Sequence, residues 1–197
     1  DGSDAWIAVQ QANLIVRVTV DGSGIPTINA PLVAGPSSIV RVDLQAVGAG
    51  QIQGKAPQGI AINSTGTRAY VYNFISRSIT TVNISNASAP VIAGTASTAA
   101  VPDPATAAGV VHLGAELFFT GRGPEERMSS EAWGGCVVCH PKGRADNVTW
   151  MFDAGPRQTI PLDGTFNKLA GHDQRILNWS AVRDENQDFE LNTRGVF

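Results

Sequence analysis

The chain has 197 residues, enough for one sizeable domain or two small ones. A net charge of −3, with only 16% charged residues, supplies no basic face and so excludes non-specific nucleic-acid binding. At 43% hydrophobic the chain can bury a core, yet its apolar runs are short and broken by Gly, Ser or Thr, so no membrane span is expected.

The acidic residues are unevenly placed. Only Asp1, Asp4, Asp21 and Asp43 of the 17 lie before residue 102, which points to two modules. Ser, Thr, Asn and Gly are abundant, a surface chemistry common in exported proteins. No secretory signal opens the chain at Asp1, which reads as a mature or trimmed start.

Residues 1–94 read as strands. Runs beginning at Trp6, Leu14, Ser38, Gly59, Ala69 and Ser78 are rich in β-branched residues. Turn chemistry separates them, at Asp21-Gly22-Ser23-Gly24, Gly48-Ala49-Gly50 and Asn63-Ser64-Thr65-Gly66. The residues alone fit either a small sandwich or part of a larger β-assembly. Residues 95–104, rich in Ala, Thr and Ser with Pro102 and Pro104, read as a linker. Residues 105–197 form the second module. Pro104 and Thr106 suit a helix start, and Val110, Val111, Leu113, Leu117 and Phe118 recur at helical spacing as an apolar face. Gly121 and Gly123 end that helix, and the remainder is loop-rich with a few short helices. The expected fold is therefore multidomain: an all-β N-terminal segment joined to a mainly α, loop-rich second domain. A small domain with so little regular structure needs a staple.

Cys136-Val137-Val138-Cys139-His140 supplies a candidate for that staple, because it fits the C-x-x-C-H pattern of covalent c-type haem attachment. Two thiols one helical turn apart reach the two vinyl groups along one haem edge, and the adjacent His donates a ring nitrogen to the iron. These are the only two cysteines in the chain. Structural zinc would usually need four ligands. A thioredoxin-type dithiol would want a strand before the motif and a helix after it, whereas Gly134-Gly135 precede it and Pro141 follows. A local disulfide would leave His140 without a role. One covalent haem c is the expected cofactor.

Two resemblances extend these readings. Ala56-Pro57-Gln58-Gly59, Ala69-Tyr70-Val71-Tyr72-Asn73 and Ser78 to Ile84 together resemble a blade of the YncE-like β-propellers. About 90 residues supply about two blades, so this resemblance implies an additional chain or missing segment completing a propeller. Leu113 to Phe119, the C-x-x-C-H, Gly143-Arg144-Ala145-Asp146 and Gly155-Pro156-Arg157-Gln158-Thr159 resemble the first-haem domain of the di-haem cytochrome c peroxidase and MauG family, over residues 111–197. Residues 176–190 stand where that family has an aromatic and acidic element. The family carries two haem motifs and this chain has one, so the resemblance implies a fragment or one domain of a larger protein.

The second axial ligand is sought among Met128, Met151, His112 and His172, with an open iron as the alternative. Aligning Gly155-Pro156-Arg157 with the family's segment puts Trp150 and Met151 at the distal ligand's place, which makes Met151 the first choice. Arg157 is a candidate partner for a haem propionate, or a solvated surface residue. Trp150, Trp133 and Trp179 are expected to pack on the haem or its rim. The acidic cluster Asp184, Glu185, Asp188 and Glu190 reads as a solvated face or a dock for a basic partner.

The expected function is single-haem electron transfer, with a redox partner protein such as another cytochrome. The alternative is a fragment of a di-haem peroxidase or MauG-like oxidase that reduces hydrogen peroxide. Attachment of c-type haem takes place outside the cytoplasm, so a periplasmic or cell-surface location is expected.

Overall fold

The computed structural model describes residues 2–28, 39–124, 128–129, 132, 134–152, 155–174 and 188. Trp133, Trp179, Asp184, Glu185, Glu190 and the 176–187 stretch lie outside the described residues.

Twelve strands, two α-helices and a 3-10 turn at Pro141–Gly143 make up the regular structure among the described residues. In the first sheet β1 (Asp4–Val9) pairs antiparallel with β2 (Leu14–Val20). Beyond β2 lie two short strands, β3 (Pro26–Thr27) against Thr19 and Val20, and β4 (Arg41–Asp43) against Leu14 to Val16. The second sheet is a meander in sequence order: β5 (Pro57–Ile62), β6 (Arg68–Asn73), β7 (Ser78–Asn83) and β8 (Val91–Ser97). Strict alternation drives it. In β6, Ala69, Val71 and Asn73 point inward while Arg68, Tyr70 and Tyr72 face out.

The two sheets share one core. Ile15, Val42 and Leu44 from the first half meet Ala69, Val71, Val82 and Ile84 from the second, with Trp6, Ile60 and Ile92 packed around them. Asn13 closes one end. It sits at φ 56°, a left-handed conformation that Asn tolerates better than most residues. Although fully buried, its side chain is satisfied: Oδ1 accepts from the Ala56 amide (2.8 Å) and Nδ2 donates to Gln45 Oε1 (2.9 Å).

Helix α1 (Ala107–Phe119) follows β8. Thr106 caps it, its hydroxyl accepting from the Gly109 amide at 3.1 Å. The helix docks on the β-module through a T-shaped Phe74–Phe119 contact and an ion pair from Lys55 Nζ to Glu116 Oε1 (2.6 Å). Just beyond the helix, Arg122 pairs with Asp43 (2.7 Å), and the Gly121 amide donates to the Gln11 carbonyl (2.8 Å).

That docking turns the expected apolar face outward. The buried residues of α1 are Gly109 and Glu116, while Val110, Val111, Leu113 and Leu117 are exposed. Helical spacing gave the stripe, but the distant Lys55 ammonium chose the opposite side. Gly109 is buried because an added Cβ would lie 2.1 Å from the Asp103 carbonyl oxygen. Gly→Ala inside a helix normally gains about 1 kcal/mol. Here the clash reverses the sign, and Gly109→Ala is expected to lower stability by about 1–3 kcal/mol. A denaturant midpoint above that of the unmodified protein would refute this.

The remainder of the chain corrects the mainly α expectation. Helix α2 (Cys136–Cys139) is a single turn. A 3-10 turn at Pro141–Gly143 follows it, and residues 149–174 form strands: the hairpin β9 (Thr149–Phe152) with β10 (Gly155–Gln158), and β11 (Phe166–Asn167) with β12 (Ala170–Gln174). The physical reason is local: Thr149, Trp150 and Phe152 favour extended backbone. Among the described residues the fold is mostly β, with two short helices, and not a mainly α cytochrome domain.

Candidate functional site

The site is built around α2. Its entry depends on close backbone approach. Gly134 and Gly135 are buried against the end of α1: a Cβ on Gly121 would lie 2.5 Å from the Gly134 carbonyl oxygen, and one on Gly135 would meet the Thr120 backbone at 3.3 Å. The Ser129 hydroxyl fixes the crossing by bonding the Gly121 (2.7 Å) and Gly134 (3.1 Å) carbonyls. The helical turn then carries Cys136 and Cys139, and the His140 amide closes it on the Cys136 carbonyl at 2.9 Å. Pro141 stops the helix. Lys142 at φ 54° and Gly143 at φ 75° reverse the chain, with the Gly143 amide bonding the His140 carbonyl (2.9 Å).

Both cysteines are free thiols of intermediate burial. Burial pushes the Cys136 thiol up, partly offset by a backbone hydrogen bond. The Cys139 thiol is also raised, by burial first and then by the charges of Asp146 and Cys136. Reactive cysteines sit in electropositive surroundings that lower the thiol pKa. This pair has the opposite environment, which argues against a nucleophilic or exchange-active dithiol.

His140 is half-buried. Burial lowers its pKa, against the opposing pull of the Ile160 carbonyl and of Asp146, so the ring is neutral at pH 7. The ring donates to the Ile160 carbonyl. Its Nδ1 is buried with no hydrogen-bond partner among the described residues. An orphaned ring nitrogen on a neutral imidazole, beside two thiols on one turn, is a donor set that fits a covalent haem: a metal bond would remove the standing cost of the unpaired nitrogen.

One segment holds this arrangement from outside. Residues 159–162 follow β10 and run against the motif loop. Thr159 hydrogen-bonds the Asp146 carboxylate, Ile160 receives the His140 ring, and the Leu162 amide donates to the Gly143 carbonyl at 2.8 Å. Asp146 also accepts from the Val148 amide (3.1 Å) and the Trp150 indole (2.7 Å). Desolvation works to raise the Asp146 pKa, but these hydrogen bonds together outweigh it and hold the carboxyl below its ordinary value. The sign follows: the stabilisation is complete above about pH 4, where the unfolded carboxyl is ionised, and is lost as pH falls through the lower folded value. The Trp150 indole resonance is expected to move only in that acidic window; a shift centred near neutral pH would contradict it.

The other predicted site residues are spread over α1, the loop after it, β9, β10 and β12. Trp150 is half-buried on β9 and reaches the site through Asp146. Met151, its neighbour, is 78% exposed with its Cα opposite Pro156. Arg157 is exposed on β10 and donates to the Pro156 carbonyl at 2.9 Å. Met128 is half-buried beside Gly123, His112 is half-buried on α1, and His172 is exposed on β12. Sequence reasoning missed Ile160, whose role is a contact across the chain, and quoted Asp146 and Thr159 only as parts of longer segments.

No family model matches the chain. No curated protein matches it either. A crystal structure of a functionally unknown protein from Desulfotomaculum acetoxidans DSM 771 is similar at 19% identity and a TM-score of 0.39, over 51% of this chain and 26% of that one. The matched part thus spans about a quarter of that protein's length. Among the described residues no group of three or more His, Cys, Asp or Glu side chains is placed to hold a metal ion. The lack of a matching family model and the β-dominated fold of the described residues overturn the resemblance to the di-haem cytochrome c peroxidase and MauG family and to YncE-like propellers. The peroxidase-like, propeller and cytochrome-family labels go with it. Among the described residues no helix is long and apolar enough to cross a membrane.

Proposed function

We propose that the chain holds one c-type haem by thioether bonds from Cys136 and Cys139, with His140 as axial ligand, and serves as a single-electron carrier. The observation that carries this reading is the buried Nδ1 of a neutral His140, without a hydrogen-bond partner among the described residues, directly after two thiols on one helical turn. When bound, the haem supplies a reversible one-electron couple. The protein's own residues attach, orient and shield. The glycine pair seats α2 against α1. The Ile160 carbonyl fixes the His140 ring. Partial exposure of Val138 and Cys139 leaves an edge open to a redox partner protein. Since such attachment takes place outside the cytoplasm, the proposal includes a periplasmic or cell-surface location. Met151, on the β9–β10 hairpin, would be the further protein ligand to the iron.

The test is to produce the chain with c-type haem attachment machinery and measure its mass and its oxidised and reduced spectra. The expected result is a mass one haem above the polypeptide and a low-spin spectrum. A bare polypeptide with both thiols still titratable would sink the proposal. Met151→Ala is then expected to open the iron to carbon monoxide; an unaltered spectrum would remove Met151 as the ligand.

A further inference from the structure

The outward face of the β5–β8 sheet is not built like a solvated one. Direct cross-strand partners share a face, so the register sets its outward residues in rows. One row runs Ala61, Tyr70, Thr81 and Gly94 from β5 to β8. The next runs Gly59, Tyr72, Ile79 and Ala96. Neither row carries a charge. Arg68 lies one row further out, level with Asn83 and Val91 at the end of the sheet. Each tyrosine is 40% exposed.

Glycine inside a strand costs stability, and it marks a bulge, a bend or the close approach of something else. Gly59 and Gly94 each adjoin a bulge, but neither has the positive φ that would require glycine there. A Cβ added at either would meet nothing within 4 Å. Nothing within the chain therefore demands these two glycines. They leave Tyr70 and Tyr72 standing as ridges between an open notch on β5 and another on β8.

We propose that this face is a self-complementary docking surface for a second copy of the chain. A two-fold axis along β7 sets Tyr70 and Tyr72 of each copy over Gly94 and Ala96 of the other, with Ile79 meeting Ile79 near the centre. An axis between β5 and β6, which uses the other notch, overlaps two strands of the sheet instead of three. Sheets packed face to face lie about 10 Å apart, a spacing that suits tyrosine against glycine or alanine better than tyrosine against tyrosine. The uncharged rows need no countercharge, which is what a surface meeting itself requires. Three strands about 4.8 Å apart and about 20 Å long cover about 300 Å² in projection, near the lower end for specific interfaces. The dimer is accordingly weak and exchanging, with a dissociation constant on the order of 0.1 mM. It uses no residue of the Cys136–His140 site and forms with or without haem.

The test is sedimentation equilibrium of the full chain from about 1 µM to about 1 mM, a range that brackets that constant. The weight-average mass is expected to rise from one chain toward two. Gly94→Val has room within one chain and raises strand propensity, so its thermal midpoint at low concentration is expected to equal or exceed the parent's. Its mass is nevertheless expected to stay at one chain throughout, because the notch is filled. If Gly94→Val fails to fold, Tyr72→Ser on the open face gives the same reading through loss of the ridge. Val110→Ser, on the exposed apolar face of α1, is expected to dimerise like the parent. A parent that stays at one chain mass up to about 1 mM overturns the proposal. So does a dimer that survives Gly94→Val and Tyr72→Ser, or one that Val110→Ser abolishes.

Discussion

Replacing Cys136 and Cys139 together by Ala is expected to abolish covalent haem attachment while leaving the β-module folded. The two thiols are the only cysteines in the chain, so no other side chain can form the thioether. The effect is therefore complete rather than graded. The β-core, by contrast, draws on residues from Ile15 to Ile84, none of which belongs to the motif. Mass spectrometry of the purified variant is expected to give the polypeptide mass alone, with far-ultraviolet circular dichroism close to the parent's. A variant that retained one haem mass would mean that attachment does not use this motif. A variant that lost its β signal would mean that the motif is part of the β-fold.

Leu44→Ala is expected to be among the most damaging single substitutions to stability. Leu44 is fully buried where the two sheets meet, and its amide and carbonyl are held by Asn13 (3.0 Å) and Gly54 (2.8 Å). Its Cβ approaches the position a Gly54 Cβ would occupy to 2.8 Å, so the backbone around it is close-packed and cannot easily collapse. Deletion of such a side chain costs about 2–5 kcal/mol. A fall in the denaturant midpoint, with an unchanged slope, is the expected reading. Leu113→Ala makes the contrast. Sequence periodicity puts Leu113 on a buried helix face, but it is 47% exposed, and its loss is expected to change stability by less than about 0.5 kcal/mol. Equal losses at the two positions would mean that the face of α1 is covered in solution.

Much of the fold was legible because it is governed by local rules. The alternation from Arg68 to Asn73, the turns at Asp21 and Asn63, and the Thr106 cap each act over a few residues. What escaped reading depends on distant partners. Lys55 lies 61 residues from Glu116, and their pairing decides which side of α1 is buried. The β9 to β12 hairpins are short and carry little periodic signal, so a motif-based resemblance put a mainly α domain where residues 149–174 form strands. At the site, the Cys136, Cys139 and His140 constellation was plain from spacing alone. The support from Asp146, Thr159 and Ile160 was not, because no local pattern announces that a carbonyl 20 residues downstream will hold a histidine ring.

The docking of α1 also bears on how the chain can be divided. Composition puts a seam at residues 95–104, yet the residues on its far side complete the near one: Phe119 meets Phe74, Glu116 answers Lys55, and Arg122 answers Asp43. A cut at the proline-rich stretch would strand a lysine and an aspartate on one piece and their counter-charges on the other. A cut after Gly123 would keep all three contacts together. For anyone dissecting or fusing this protein, the practical joint lies beyond the helix, between the β-module with its helical latch and the short segment that bears the two cysteines.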